Sequence, residues 1–563
     1  MSSCQIDSRC NTSNTVGRDQ YNLVIPGRQS NCQYSGILDS PYLVDITANH
    51  RELSVIVREA TLRKLNPVEM DSSHRQPCLP DTCVDLLQAI ADWATYSYDK
   101  PVFWLHGVSG SGKSTVSTTI ANLFRQSGRL GAFLFFDRAN RSDPSSVIRT
   151  LAYQLGLSNP AVGDAICATV ESTPTIPFSP MYFQFQGLIV DPISSVPKRF
   201  GSPPILLVID ALDECGTAKE RRDILAALKY GSCNLPPAAK ILVTSRDDFD
   251  ICAAFDTEPH ILHHELDTTC ESNTRDILSY IRHRLTGIQT DNKYLGLASN
   301  WPGEDRTELL ANHAGGLFIW ASTATAFIEN GHDPEEQLSI VLGAHDRVSE
   351  SALDALYLVA LQSTQGWEDR SFRSDFLSIC GTIIAAKSPL THTAIDQLLR
   401  PRRPSLHIIS RFGCVLHWTC TGPVRILHPS FVEFLANKFR CGNGPWFIDL
   451  PTHHQRLAIL CLDQLGVILR HPCDLSLSLP KTNNPILEST SYATASWIYH
   501  VCSTSDDAPS LAMRINVFLH EHLLHWLEAM SHLRLSRDTI SLLNDLHEWT
   551  KVFRQFAPQV LSR

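Results

Sequence analysis

The sequence lacks the features that mark several large classes of protein. Its 17 cysteines include no Cys-x-x-Cys pair, so a zinc site is not expected. The polar N-terminus has no apolar segment of the kind a signal peptide needs, and scattered thiols are typical of a reducing compartment. The longest uncharged apolar run, 314–328, is shorter than the roughly 18 residues that a membrane-spanning helix requires. We therefore predict a soluble, cytoplasmic protein without stable membrane insertion.

Positive charge is also scarce, and several diagnostic motifs are missing. The net charge is -10, whereas a general nucleic-acid binder normally has a basic surface, so no nucleic-acid partner is expected. The sequence contains neither the Asn-Lys-x-Asp motif of GTPases nor the Leu-Ser-Gly-Gly-Gln motif of ABC-type ATPases. It also contains no internal repeat of about 20–50 residues that would indicate a solenoid or a propeller. Its length leaves a protein of roughly three or four domains as the expectation.

Short apolar segments alternate with helical patterns in the first half of the chain. The segments predicted as strands are 102–106, 132–136, 205–210 and 240–244. Continuous apolar strands separated by helices indicate a parallel sheet covered on both faces, which is a three-layer α/β/α domain. After about residue 255 the strand signal largely stops and helical patterns dominate, with a possible hairpin at 414–427. The polar stretch 67–76 is typical of a linker.

The first predicted strand is followed by the pattern GxxxxGK[ST] at residues 107–114. Its glycines allow backbone N–H groups to turn inward around phosphates, and the positive end of the following helix points at the same anions. Lys113 would reach the β- and γ-phosphates, and Ser114 would offer its hydroxyl to Mg²⁺. The residues predicted to bind nucleotide are Gly107, Val108, Ser109, Gly110, Ser111, Gly112, Lys113, Ser114 and Thr115. The alternative is a Gly/Ser loop without function, which the flanking strand and helix disfavour.

The predicted strand 205–210 ends in Asp210, and two further acids follow it. At the carboxyl edge of a parallel sheet, Asp210 would lie beside the P-loop and hold the hydrated Mg²⁺. Asp213 and Glu214 lie just beyond, where one of them could orient or activate a water for attack on the γ-phosphate. We therefore predict that Ser114 and Asp210 bind the metal and that Asp213 and Glu214 are catalytic. The alternative for Asp213 is an acidic N-cap on the next helix.

The predicted strand 240–244 is followed by Ser245 and Arg246. A guanidinium at this edge of the sheet could sense the γ-phosphate through charge-assisted hydrogen bonds, so Arg246 is the third predicted catalytic residue. The alternative is that Arg246 is an ion-pair partner on the surface of the protein, with no contact to a nucleotide.

Three segments together resemble the NACHT family of P-loop NTPases. They are the loop 107–114, Ile-Asp-Ala-Leu-Asp-Glu-Cys at 209–215, and Val-Thr-Ser-Arg at 243–246. NACHT proteins belong to the signal-transducing STAND group, which includes the NOD-like receptors, and the acidic pair in 209–215 favours NACHT over other P-loop groups. The segment 78–83 is similar to that of basidiomycete fungal members, in which Gly and Arg are usual where Asp81 and Cys83 stand here.

Two downstream segments extend the resemblance over roughly residues 75–560. Residues 314–321 are similar to a motif of the helical domain that follows the NTPase in this family. Residues 427–435 are similar to the winged-helix segment whose histidine reaches the ADP phosphates in the resting state. The resemblance thus implies that His428 binds nucleotide as an inhibitory sensor, through an Nε2–H group or an imidazolium. A structural histidine is the alternative, and the residues alone favour it.

The domain organisation implied by the resemblance has five parts. They are a low-order N-terminal segment and linker (1–74), the NTPase domain (75–255), a helical domain (256–345), a winged-helix-like domain (346–450) and a C-terminal helical region without recognisable repeats (451–563). Family members often end in sensor repeats. This chain is either a member without such a sensor or one whose last helices receive the signal. The segment 16–25 is interpreted as an element for strand stacking between chains or as a disordered tail.

The function implied by the resemblance is a nucleotide-controlled signalling switch that uses ATP, ADP and Mg²⁺. ADP would hold the domains closed, exchange for ATP would open them for self-association through the NTPase domain, and slow hydrolysis would reset the state. A downstream effector and a role in innate immunity are implied in the same way. Two alternatives stay open: an AAA+-like ATPase or other P-loop enzyme, and a scaffold that binds nucleotide without hydrolysing it.

Overall fold

The computed structural model describes the chain between residues 55 and 556, with internal gaps. The described ranges are 55–68, 70, 75–97, 99–136, 144–197, 203–343, 352–364, 366–419, 421–442, 444–469, 487–504 and 509–556. The segment 16–25, with its two interpretations, lies outside the described residues.

Five parallel strands form the central sheet. They are β1 Val102–His106, β2 Leu130–Phe135, β3 Ile205–Asp210, β4 Ala239–Ser245 and β5 Ile261–Glu265. Their order across the sheet is β2-β3-β4-β1-β5, and every neighbouring pair is parallel. The four predicted strands are confirmed, and β1 and β3 have the predicted bounds. The order places the ends of β1, β3 and β4 side by side at the carboxyl edge, where parallel sheets carry their ligands.

The prediction that the strand signal stops after about residue 255 is wrong at β5. Among the described strands it lies at the edge of the sheet and pairs with β1 alone, and only its first residue is buried. Its sequence, Ile-Leu-His-His-Glu, is therefore too polar to be recognised as an apolar run. The sheet extends past residue 255, where the NTPase domain is predicted to end, and that boundary stays a prediction.

Helices cover both faces of the sheet, so the predicted α/β/α layering is confirmed. These helices are α1 Val84–Tyr96, α2 Lys113–Gln126, α3 Val147–Ser158, α4 Pro160–Ser172, α5 Met181–Phe185, α6 Asp191–Ser195, α7 Ala218–Gly231 and α8 Phe249–Phe255. Alternate strand residues belong to different cores, as the period of two requires. Phe103 and Leu105 pack with α1 and α2, whereas Val102 and Trp104 pack with the core that contains α3 and α7.

The chain after the sheet is almost entirely helical. Its helices are α9 Glu271–Asp291, α10 Glu304–His313, α11 Phe318–Asn330, α12 Pro334–Gly343, α13 Ala352–Ser363, α14 Arg370–Ala385, α15 His392–Leu399, α16 Leu406–Ile409, α17 Pro429–Leu435, α18 Lys438–Cys441, α19 Leu450–Ile468, α20 Glu488–Cys502, α21 Pro509–His532 and α22 Asp538–Phe556. None of the described helices is both long enough and apolar enough to cross a bilayer. The predicted hairpin at 414–427 is confirmed, because β6 Leu416–His417 pairs antiparallel with β7 Arg425–Ile426.

One hydrophobic core joins these helices. It extends from Ile277 to Leu546 and includes the fully buried Phe376 and Trp497. Buried contacts therefore cross positions 345 and 450, so packing does not mark the two predicted boundaries there. The division into a helical domain, a winged-helix-like domain and a C-terminal region stays a prediction.

Candidate functional site

The loop between β1 and α2 is shaped by glycines in the left-handed region. Gly110 and Gly112 have φ angles of 80° and 102°, which residues with a Cβ rarely adopt. Gly112 is also the residue before α2, so the loop leads directly into the first turn of that helix. Ser114 is exposed in this first turn. The predicted nucleotide-binding residues 107–115 thus form a continuous turn at a helix N-terminus, where backbone N–H groups and the helix dipole favour an anion.

Lys113 is folded back onto this loop. Its side chain is buried, and Nζ donates to the carbonyl oxygens of Gly107 and Val108, both at 2.7 Å. Burial lowers the pKa of Lys113, while the negative charge of Asp213 acts in the opposite direction. The ammonium group is therefore held inside the loop by two carbonyl oxygens, which are uncharged and hence weak acceptors. A phosphate at the same place would be a stronger, charged acceptor.

Asp210 ends β3 and is fully buried. Its Oδ1 accepts a hydrogen bond of 2.5 Å from the hydroxyl of Thr244, near the end of β4. The same hydroxyl oxygen accepts from the backbone N–H of Ala211 at 2.9 Å. A carboxylate without solvent contact is costly unless it is paired, so the position requires a cation or a set of donors.

Arg75 supplies that positive charge, and the sequence analysis does not predict it. One guanidinium nitrogen, Nη1, forms an ion pair with Asp210 Oδ2. The other, Nη2, donates to the carbonyl of Phe136 at 3.3 Å, and Cζ lies 4.2 Å from the centre of the Phe135 ring. The sequence of the polar stretch 67–76 does not predict this contact, because an arginine in a polar segment can pair with many different carboxylates.

Asp213 lies one turn beyond Asp210, in a short 3-10 helix that also contains Glu214. Its two oxygens are held by Arg246, through the backbone N–H at 3.1 Å and Nε at 3.2 Å. Burial raises the pKa of Asp213, and the positive charge of Arg246 opposes that rise. The alternative that Asp213 caps the next helix is wrong. Thr217 is the N-cap of α7 and forms a capping box with Glu220.

Arg246 also connects the sheet edge to the helical part of the chain. Its Nη1 lies 3.0 Å from Oε1 of Glu433 in α17. Glu433 is 3.6 Å from Arg440, which forms two hydrogen bonds, of 2.7 and 3.0 Å, with Asp354 in α13. Arg246 is thus an ion-pair partner, as its alternative interpretation stated, but its carboxylate partners come from two separate parts of the chain. Burial opposes the charge of Arg246, yet Glu433 and Asp213 outweigh it and raise its pKa.

The helical region approaches the loop closely at Gly110. The backbone N–H of Ile319, in α11, donates to the carbonyl of Gly110 at 3.1 Å. A Cβ on Gly110 would lie 2.1 Å from Cγ2 of Ile319, so only glycine permits this approach. The same hypothetical Cβ would be 3.8 Å from Cε1 of His428, which places that imidazole beside the loop. The sequence-predicted residues 107–115, Asp210, Asp213, Glu214 and Arg246 lie at one edge of the sheet, and His428 reaches that edge from the helical region.

The ring of His428 has a defined orientation. Its Nδ1 accepts the backbone N–H of Ser430 at 3.2 Å and lies 2.7 Å from the hydroxyl of that serine. The serine hydroxyl is in turn 2.8 Å from the hydroxyl of Tyr357 in α13. Because Nδ1 accepts from the backbone, the neutral ring carries its proton on Nε2. His428 is therefore also the N-cap of α17, so the structural role and the predicted ligand role do not exclude each other.

The chemistry of these residues fits a magnesium nucleotide. The loop and Lys113 would be the donors for phosphates, and Ser114 with Asp210 would supply the hydroxyl and carboxylate oxygens that Mg²⁺ prefers. Arg246 Nη2 is buried and has no hydrogen-bond partner among the residues that the structure describes, so it is a donor that an anion could satisfy. Within the described residues no group of three or more His, Cys, Asp or Glu side chains is gathered for a metal. Magnesium held by nucleotide phosphates needs only one or two protein ligands.

One protein-family model covers most of the residues of this site. Residues 81–246 match the family model described as Nephrocystin 3, N-terminal. A STAND protein with a tetratricopeptide repeat sensor from Pyrococcus horikoshii is 14% identical over 88% of this chain and 67% of that chain, with a TM-score of 0.38. Drosophila ORC bound to DNA is 12% identical over 60% of this chain and 83% of that chain, with a TM-score of 0.22. These scores are too low for either structural likeness to support a conclusion. No match is found among the curated proteins.

The family match covers both the phosphate loop and the acidic end of β3. It ends at Arg246, the last predicted catalytic residue, and so spans four of the five strands of the sheet. The motif at 107–114 and the parallel sheet with its covering helices give this part of the chain the architecture of a P-loop NTPase domain, and residues 81–246 within it match the nephrocystin 3 model.

Proposed function

We propose that this protein is a nucleotide-controlled signalling switch. ADP would favour the closed arrangement, in which helix α11 and His428 lie against the P-loop. ATP with Mg²⁺ would favour an open arrangement that self-associates through the NTPase domain. Slow hydrolysis, with Asp213 and Glu214 orienting water and Arg246 stabilising the γ-phosphate, would return the protein to its closed state. Such a switch needs ATP and ADP to bind the two arrangements with different affinities.

The observation that carries this proposal is the contact between the P-loop and the helical region. Ile319 bonds to the Gly110 carbonyl, His428 lies beside the same glycine, and Glu433 pairs with Arg246. Any change in the number of phosphates at this loop would act on groups from both parts of the chain at once. A P-loop enzyme whose only task is turnover has no need for this arrangement, whereas a switch depends on it.

The alternatives have weaker support. An AAA+-like ATPase or another P-loop enzyme would use the same loop and the same acids, but it would not need His428 at the nucleotide. A scaffold that binds nucleotide without hydrolysis is disfavoured, because Lys113, Asp210 and Asp213 converge with Arg246 at one edge. The downstream effector, the role in innate immunity and the basidiomycete fungal type belong to this proposal as expectations from the family resemblance.

The nucleotide carried by the purified protein, together with its mass in solution, tests the switch. Nucleotide released by denaturation is identified by chromatography, and mass is measured by light scattering before and after exchange. We expect a monomer with bound ADP that assembles when the ADP is exchanged for a slowly hydrolysed ATP analogue with Mg²⁺. A nucleotide-free monomer that turns over ATP steadily without assembly would contradict the switch and favour the enzyme.

Substitution of His428 by alanine is expected to accelerate ADP release by about tenfold. The substitution removes the proposed Nε2–H donor to the ADP phosphates, and a hydrogen bond to a charged group contributes about 1.5–3 kcal/mol. It also removes the side-chain acceptor of the Ser430 backbone N–H, which weakens the N-cap of α17. The measurement is displacement of a fluorescent ADP analogue by stopped flow. His428→Asn is the matched control, because asparagine keeps the cap but shortens the side chain. If His428→Ala and the wild type release ADP equally fast, His428 is structural and takes no part in the switch.

A further inference from the structure

We propose that Arg75 is a tethered competitor of Mg²⁺ at Asp210. In the arrangement described above, the guanidinium of Arg75 neutralises a fully buried carboxylate that, with Ser114, is the predicted metal ligand. Arg75 would leave this position when Mg²⁺ arrives with a nucleotide and return when both are lost. The inference rests on the proposed nucleotide function and adds to it a residue that links the metal to the chain before the sheet.

Both oxygens of Asp210 are already engaged. Oδ1 accepts from Thr244 at 2.5 Å, and Oδ2 is paired with Arg75. A hydrated Mg²⁺ needs one of these oxygens, either directly or through a bound water. Thr244 is neutral and can stay, whereas two cations on one buried carboxylate repel each other strongly at low dielectric. Metal and guanidinium are therefore alternatives at this site.

Among the described residues, Arg75 has one charged partner, Asp210, and two neutral ones, Phe135 and the carbonyl of Phe136. Its side chain is only 11% exposed, stacks over Phe135 and donates to the carbonyl of Phe136. Phe135 ends β2 and Phe136 follows it, so the guanidinium lies across the edge of the sheet that would receive the metal. None of the described partners except Asp210 carries a full charge. The ion pair with Asp210 is thus the main interaction that metal binding would replace.

The chain on the C-terminal side of Arg75 is anchored near the P-loop. The backbone N–H of Cys78 donates to the hydroxyl of Thr119 in α2 at 2.8 Å. Only Gln76 and Pro77 lie between this anchor and Arg75, so a released guanidinium stays close to Asp210 and can return rapidly. A tethered group of this kind competes at a high effective concentration without any new contact. Release would also free the backbone around Arg75. Metal binding should therefore be detectable as a change in the segment that precedes α1.

The first test is the Mg²⁺ dependence of nucleotide binding. A fluorescent, slowly hydrolysed ATP analogue is titrated against the full chain at a series of Mg²⁺ concentrations, in the wild type and in Arg75→Gln. We expect Arg75→Gln to reach half-saturation at about tenfold less Mg²⁺, because removing a competing state raises the fraction of competent protein. Arg63→Gln is the matched control: it loses an arginine from the same region, and Arg63 lies on an exposed helix turn near Glu59. This control should keep the Mg²⁺ requirement of the wild type.

Two results of this titration would overturn the proposal. An unchanged Mg²⁺ requirement in Arg75→Gln would mean that the ion pair does not compete with the metal. Weaker binding in Arg75→Gln would mean that Arg75 assists the bound nucleotide and does not exclude its metal. The proposed function fails separately: if the wild type does not bind the analogue at all, the site assignment is wrong whatever Arg75 does.

A second measurement uses the wild type and does not depend on how a variant folds. Trypsin cleaves after arginine, and the bond between Arg75 and Gln76 is protected while the guanidinium is held at Asp210. We expect Mg²⁺ with the ATP analogue to accelerate this cleavage at least about fivefold, as mass spectrometry of the fragment that begins at Gln76 would reveal. Neither Mg²⁺ alone nor the analogue with EDTA should have this effect. Protection that is unchanged or increased by Mg²⁺ and analogue would contradict the release of Arg75.

Discussion

Replacing Lys113 with alanine is expected to weaken the binding of nucleoside triphosphate by about a hundredfold or more, which removes binding at ordinary concentrations. The ammonium group is buried inside the loop and is already in contact with two of its carbonyl oxygens. Lys113 is the one lysine or arginine in residues 107–115. The measurement is a titration with a fluorescent ATP analogue at saturating Mg²⁺.

A suitable control for that experiment is Lys229→Ala. Lys229 is in the same domain, in α7, and its ammonium forms an ion pair of 2.8 Å with Glu258 away from the predicted nucleotide site. It should bind nucleotide as the wild type does, which would exclude a general effect of removing a lysine. Full triphosphate binding by a folded Lys113→Ala protein would show that residues 107–115 are not the nucleotide site.

Reversing the charge of Glu433 is expected to open the closed arrangement. In Glu433→Arg the new guanidinium would face both Arg246 and Arg440, with the described carboxylates Asp213 and Asp354 already engaged. Arg246 and Arg440 would lose the carboxylate of Glu433 and would be repelled by the new positive charge in a partly buried site. We therefore expect this substitution to destabilise the closed state by about 2 kcal/mol or more. That is about a thirtyfold change in the closed-to-open ratio. Light scattering should then detect assembly at lower concentrations of ATP analogue.

A double substitution separates this effect from simple damage to α17. Arg246→Ala in the Glu433→Arg background removes one of the two repelling cations, and a double-mutant cycle should give a coupling of about 1–3 kcal/mol between the two positions. Asp463→Arg is the surface control, since Asp463 pairs with Arg514 on exposed helices and undergoes the same change of charge. If Glu433→Arg, the wild type and Asp463→Arg all assemble at the same analogue concentration, the ion pairs of Glu433 do not stabilise the closed arrangement.

Most of the strand and loop structure at the candidate site could be predicted because its signals are local. The loop 107–114 has glycines where left-handed backbone is required, and β1 and β3 are apolar runs that end in residues of a different chemistry. Parallel topology then brings the strand ends together without any knowledge of side-chain packing. The same reasoning failed at β5, since an edge strand is not buried on both sides and need not be apolar.

The long-range contacts at the candidate site could not be predicted in this way. Arg75 and Asp210 are 135 residues apart in sequence, and Arg246 and Glu433 are 187 apart. A charged residue in a polar stretch has many possible partners, and the choice depends on where the chain packs. Glu433 lies within the segment that suggested His428, yet that segment gives no reason to pair it with Arg246. The close approach of Ile319 to Gly110 likewise depends on where α11 packs and cannot be predicted from local sequence.

The sequence by itself determined the P-loop, the acidic strand end and the parallel sheet, because each of these depends on the period, the polarity and the backbone freedom of adjacent residues. The tertiary structure alone decided which charges meet at the nucleotide edge: Arg75 on Asp210, Arg246 between Asp213 and Glu433, and His428 beside Gly110. The physical reason is that local propensities act within a few residues. Ion pairs across the chain are set by the packing of the hydrophobic cores that carry them.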